Sequence, residues 1–164
     1  RYGSFEFDSL EKCLNKNLPS LQQFRNRGIF SFNASDKSII PLLFDDMLEA
    51  LQTPKGSKSP VAVSKALHLL APHFFPIWDG KIARAYHCFW GWSDLASPKY
   101  LDFINKTLVI ADEVIQNFIN TNGGDQKAAI QTICLEVSKN LPFTKSFLKI
   151  IDEYNYSRYT KHWI

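Results

Sequence analysis

Apolar residues recur at intervals of three and four along most of the chain, which is the spacing of one face of a helix. Residues 100–120 show it most clearly, with Leu101, Ile104, Leu108, Ala111, Ile115 and Phe118 in register. Residues 39–51 repeat it through Leu43, Met47 and Leu51, and residues 142–154 through Phe143, Phe147 and Ile151. Residues 5–18 carry Leu10 and Leu14 behind a cap at Asp8 or Ser9, and Pro19-Ser20 is expected to end that helix. A short basic helix over 21–27, stopped by Gly28, and a further helix over 127–140 complete the helical set. Loops are expected at 28–38, where Ile29 to Phe32 offers a brief strand as the alternative, and at 53–59, 91–98 and Asn122-Gly123-Gly124-Asp125. The pattern predicts an all-α fold in one compact domain spanning residues 1–164.

The stretch 59–90 interrupts this regularity and organises the rest. Ser59-Pro60 is a helix start, because serine accepts from the freed amides of the first turn and proline fits there. Val61, Lys65, Leu69 and Ala62, Ala66, Leu70 then follow at helical spacing. Pro72 and Pro76 stop that helix, with His73, Phe74 and Phe75 between them. Asp79 is a favoured N-cap, so a second helix is expected from there through Ile82, Ala83, Tyr86 and Trp90 to Gly91. One carboxylate is thereby held at a helix start behind a stiff Phe-Pro-Ile-Trp approach.

Composition narrows the function classes. A chain of 164 residues with 45% hydrophobic and 14% aromatic content can bury a core and is not disordered. No apolar run has the length of a membrane span and no signal-peptide pattern opens the chain, so no membrane partner is expected; Arg1 at the start leaves room for an upstream beginning. Three scattered cysteines, Cys13, Cys88 and Cys134, point to buried thiols in a reducing compartment rather than to a disulfide framework. The formal charge of +3 allows a nucleic-acid partner without requiring one. His68, His73, His87 and Cys88 fall into no metal-ligand spacing and read as scattered surface residues, so no metal is expected. Phosphate-cradling glycine loops and hydrolase elbows are absent from the sequence.

Residues 75–84, Phe-Pro-Ile-Trp-Asp-Gly-Lys-Ile-Ala-Arg, together with Val61-Ala62-Val63-Ser64-Lys65-Ala66, resemble the helix-hairpin-helix DNA glycosylase superfamily. That family carries a Val-Gly-x-Lys-x-Ala hairpin end and a later Val-Asp-x-His-Val-x-Arg segment with the catalytic aspartate. Asp79 falls on the aspartate, Ile82 and Arg84 match, and Lys81 stands in place of the histidine. Ala62 stands where the hairpin has glycine, and Lys65 is displaced by one position. The likeness covers about residues 55–90, and there is no four-cysteine cluster loop of the kind some members carry.

The resemblance implies a helical base-excision enzyme acting on DNA, cytoplasmic or nucleoid-associated, without a cofactor. Asp79 would stabilise the sugar cation or activate water. Lys65 would be the candidate for Schiff-base attack on C1′. Lys55, Lys58, Ser59, Lys81 and Arg84 would contact the nucleic acid. Phe74, Phe75, Trp78 and Trp90 would form the pocket for an everted base. The same residues also have structural readings: Asp79 as a cap alone, Lys65 and the loop lysines as solvated charges, the aromatics as core, and Arg84 as a partner of Asp79 or Asp94. A non-catalytic helical module that binds nucleic acid or protein is the competing function. The basic, aromatic tail after Tyr154 reads as a segment docked on the domain, or else as a contact for nucleic acid or a partner.

Overall fold

The computed structural model describes residues 6–91 and 95–164. Among them the regular elements are all helical: α1 (Phe7–Arg25), a 3-10 turn (Ile29–Ser31), α2 (Asp36–Ala50), α3 (Pro60–Leu70), α4 (Gly80–Ala85), α5 (Ala96–Asn122), α6 (Gln126–Ser138), α7 (Phe147–Asn155) and a π-helical turn (Tyr156–Lys161). No helix of the described residues is long and apolar enough to cross a membrane. One core joins them, built on Phe24, Phe44, Leu67, Trp78, Tyr100 and Phe103.

Several expected boundaries moved for identifiable reasons. Pro19 does not end α1 but sits inside it, and the two helices expected at 5–18 and 21–27 are one. An internal proline costs about 3 kcal/mol; burial of Leu21 and Phe24 on the far side of it offsets that cost. The expected loop over 28–38 holds the 3-10 turn rather than a strand. Helix α7 starts at Ser146, whose hydroxyl accepts from the Lys149 amide, so Phe143 stands outside it and is 63% exposed instead of sharing the face of Phe147 and Ile151.

The helix expected to run from Asp79 to Gly91 stops at Ala85. His87 adopts φ 55°, its amide bonds Arg84 O at 3.0 Å, and the Cys88 amide reaches back to Ala83 O at 2.7 Å. This is a Schellman ending with histidine in the position that glycine usually takes. It turns the chain so that Trp90 leans on Trp78 with centroids 4.5 Å apart.

A buried ion pair locks the start of α2 to the end of α1. The Arg27 guanidinium donates to both carboxylate oxygens of Asp36 at 2.8 and 2.7 Å, while Asp36 is fully buried. The same guanidinium lies 5.0 Å from the centroid of the Phe74 ring. Burial pushes the Asp36 carboxyl up, but Arg27 and the Asn33 amide together outweigh it and hold the group below the usual carboxylate range. Its contribution to stability is therefore complete above that usual range and is lost as the pH falls through the lowered folded value. Arg27→Ala should cost about 3 kcal/mol, because it leaves Asp36 buried without its countercharge. Urea denaturation at pH 7 with an unchanged slope checks this.

Candidate functional site

The segment between α3 and α4 has no regular structure and is buried at Ala71, Phe74 to Pro76 and Trp78, where backbone must find hydrogen-bond partners. The Phe74 and Phe75 amides both donate to Ala71 O at 3.1 Å, the Ile29 amide donates to His73 O at 2.9 Å, and three side chains add to these bonds. The His68 ring bonds Phe75 O through Nδ1 at 2.8 Å, and the Tyr100 hydroxyl donates to Pro76 O at 2.8 Å. Ser64 Oγ accepts from the Trp78 amide at 3.2 Å and lies 3.0 Å from Trp78 O and from Val61 O, sharing its one proton between them. The residue after Ser64 is Lys65 and the residue after Trp78 is Asp79, so this clamp decides where both candidate catalytic groups stand.

Asp79 caps α4. Its Oδ1 accepts from the amides of Lys81 and Ile82, each at 2.8 Å, and its Oδ2 accepts from the Thr160 hydroxyl at 3.3 Å. Thr160 belongs to the π-helical turn, whose carbonyl at the same residue accepts from Lys81 Nζ at 3.1 Å. The tail is therefore docked on α4, and it holds the free edge of the aspartate.

Asp79 and Lys65 line one cavity of about 580 Å³, together with His68, Leu69, Ile77 and, from α7 and the tail, Lys149, Asp152, Glu153 and Tyr156. That volume lies in the range of small-molecule sites. Two of its acids are already paired: Lys149 with Asp152 and Lys145 with Glu153, both at 2.6 Å. Lys65 is exposed and makes neither an ion pair nor a hydrogen bond within the described residues. Leu69 is 81% exposed and Val63, Ser64, Leu67 and His68 are the buried positions of α3, so the Val61-Lys65-Leu69 stripe faces outward rather than into the core.

The expected base pocket is not where the sequence suggested. Phe74, Phe75 and Trp78 are each 0% exposed. Phe74 and Phe75 pack on Phe24 at 4.6 and 5.0 Å between centroids, and Trp78 lies among Phe44, Tyr100 and Phe103. A base could stack on them only by opening the core, at about 1.5–3 kcal/mol for each ring exposed. Trp90 remains partly exposed beside Phe89. The aromatic face that does line the cavity is Tyr156, which sequence reasoning left in the tail.

The expected nucleic-acid contacts are dispersed. Ser59 spends its hydroxyl on the Ala62 amide, and it lies six residues, or about 9 Å of helix, before Lys65. Lys58 pairs with Glu49, and exposed Lys55 lies in the same loop, whose neighbours border an acidic hollow with Glu6 and Glu49. Arg84 donates to Gly80 O at 3.0 Å and sits 3.8 Å above the Phe89 ring; it makes no ion pair with Asp79, and Asp94 lies outside the described residues.

The sequence pattern places His68 among surface histidines, yet it is only 8% exposed and lines the cavity. Its signal in the sequence was the i, i+3 spacing from Lys65, which puts both on one face of α3. Burial lowers its pKa below the ordinary histidine value, against the opposing effects of the Phe75 carbonyl and Asp152. No group of three or more histidine, cysteine or carboxylate side chains among the described residues could hold a metal ion. The thiols are buried, and burial pushes that of Cys88 up to about 11.

The chain matches no family model, no characterised protein and no solved structure.

Replacing Ser64 by alanine strands the Trp78 amide and carbonyl and should destabilise the fold by about 1–3 kcal/mol. Urea denaturation measures the loss, and an unchanged midpoint would show that the clamp contributes nothing.

Proposed function

We propose that this chain is a base-excision domain that hydrolyses an N-glycosidic bond in DNA, with Asp79 as the acidic group beside the sugar. The observation that supports the reading is the shared cavity of Asp79 and Lys65, two residues fourteen positions apart that the Ser64–Trp78 clamp brings to one opening. Leaving of the base breaks the C1′–N bond, with the electron pair going to the base nitrogen. Positive charge then builds on C1′ and O4′, and a carboxylate fixed nearby stabilises it. Water adds to C1′ and gives up a proton, which Asp79 Oδ2 can take because only the Thr160 hydroxyl occupies that oxygen. Tyr156 and Ile77 offer the flat and apolar surfaces for the extruded base, in place of the buried aromatics.

Lys65 gives the site a second possible course. Its amine can attack C1′ in place of water, expel the base and form a Schiff base, after which the strand is open to elimination. An amine without a carboxylate partner suits that role.

The non-catalytic alternative draws on a specific feature: Oδ1 of Asp79 is wholly engaged in capping α4, and a cap needs no chemistry. A duplex panel carrying altered bases separates the two readings. Base excision should leave abasic sites, Asp79→Asn should lower the rate by about 10²–10⁴-fold, and borohydride should trap a covalent adduct only if Lys65 is the nucleophile. Binding without excision favours the helical module, and full excision by Asp79→Asn removes that residue from the chemistry.

A further inference from the structure

We propose that the π-helical turn and the residues after it form a binding surface for an unpaired nucleic-acid strand, with Tyr156 and Trp163 stacking on bases and Lys161 and Arg158 meeting phosphates. The inference adds a partner preference to the reading above and needs no chemistry at Asp79.

Residues 154–164, Tyr-Asn-Tyr-Ser-Arg-Tyr-Thr-Lys-His-Trp-Ile, hold four aromatic rings and two cations and no carboxylate side chain. The fold arranges them as two units, each with one cation shared by two rings. Arg158 lies 5.9 Å from the Tyr154 ring centroid and 5.5 Å from that of Tyr159, and it donates to the Tyr154 hydroxyl. Lys161 lies 5.7 Å from Tyr156 and 5.9 Å from Trp163. Tyr159 is the inward anchor, set edge-on against Tyr86 at 5.9 Å. The outer rings stay accessible: Tyr154 is 45%, Tyr156 40% and Trp163 71% exposed.

Trp163 is held in place by its backbone. His162 turns the chain at φ 56°, in the left-handed region where histidine is enriched, and the Trp163 amide returns to Ser157 O at 3.0 Å. Lys81 Nζ donates to Thr160 O and the Thr160 hydroxyl to Asp79, which ties the same turn to α4. The line from Trp163 through Lys161 to Tyr156 therefore ends on the cavity wall, since Tyr156 lines it.

Charge and shape together select the partner. Neither Arg158 nor Lys161 forms an ion pair with a carboxylate among the described residues, and the neighbouring acids of α7, Asp152 and Glu153, are neutralised by Lys149 and Lys145. A fitting polymer carries regular negative charge together with flat faces. An acidic peptide has the charge without the faces. A lipid surface calls for an amphipathic helix with a broad apolar side, whereas the only aliphatic side chain of residues 154–164 is Ile164. A duplex offers phosphates but keeps its base faces covered by their neighbours. An unpaired strand offers both, and exposed rings beside cations are the features that hold it.

The test measures fluorescence anisotropy with the whole chain and end-labelled oligothymidylate, oligouridylate and a mixed-sequence duplex, each about twelve units long. An unpaired strand should bind about tenfold or more tightly than the duplex at the same salt concentration, and a preference for either sugar upholds the inference. Trp163→Ala should weaken strand binding about 5- to 150-fold with the salt slope unchanged, while Trp163→Phe keeps most of the affinity. Lys161→Gln should lower the logarithmic salt slope by about 0.7, the share of one phosphate on a single strand. Both positions are exposed, so the urea midpoint should stay that of wild type and a loss of binding is not a loss of fold.

A duplex bound as tightly as the strand, strand affinity unchanged in Trp163→Ala, or no binding of any probe at high micromolar protein would overturn the inference. So would binding confined to polyglutamate or to phosphatidylserine vesicles. Strand binding that depends on Trp163, with no excision of any altered base, upholds the inference and removes the glycosylase reading. Excision from a duplex that is indifferent to Trp163→Ala, with no preference for an unpaired strand, does the reverse.

Discussion

The arrangement depends on satisfying the backbone of a short, buried bend. Residues 71–79 connect two helices along the core, and where Phe74, Phe75, Pro76 and Trp78 are buried an unpaired amide or carbonyl costs about 1–3 kcal/mol. The chain meets this with side chains from helices already in place: Ser64 and His68 from α3, and Tyr100 from α5. Tyr100 is completely buried, and burial drives its hydroxyl pKa well above the ordinary value, so it stays a donor. Together with the turn bonds of the Phe74 and Phe75 amides to Ala71 O, these contacts fix the bend, and its aromatic side chains fill the core around Phe24 and Phe44.

This division of labour explains why so small a helix as α4 can be placed accurately. Six residues form a marginal helix by themselves. Here α4 is anchored at one end by the double cap of Asp79 and at the other by the Schellman turn through His87. The π-helical turn then covers it, with Tyr86 OH donating to the buried Asn155 Oδ1 at 2.8 Å. The tail thus completes the wall of the cavity and fixes the second oxygen of Asp79, and α7 brings the paired acids to the opposite side. Tyr156, at the head of this turn, is the tyrosine that lines the cavity.

The helices themselves were legible because their information is local. The N-caps Ser59 and Asp79 stand where the sequence put them, each accepting from an amide two or three residues on, whereas Asp125, expected only as part of a loop, caps α6 in the same way. The glycine pair at 123–124 takes positive φ and breaks α5 from α6. Pro19 misled, because its penalty is local while the burial of Leu21 and Phe24 that outweighs it is not. Phe143 misled for the complementary reason: its spacing from Phe147 is helical, but the Ser146 cap starts the helix after it.

By itself the sequence determined the all-helical character, the start of α3 and the cap that begins α4. All of these follow from spacing and from side chains acting on their own neighbourhood. The tertiary structure decided which faces are inside. It sent Phe74, Phe75 and Trp78 into the core, turned Lys65 and Leu69 outward, and set His68 in the cavity against residues of α7 that lie some eighty positions away. That choice depends on where distant helices offer apolar surface and where a buried carbonyl needs a donor, and no periodicity within a single segment carries either quantity.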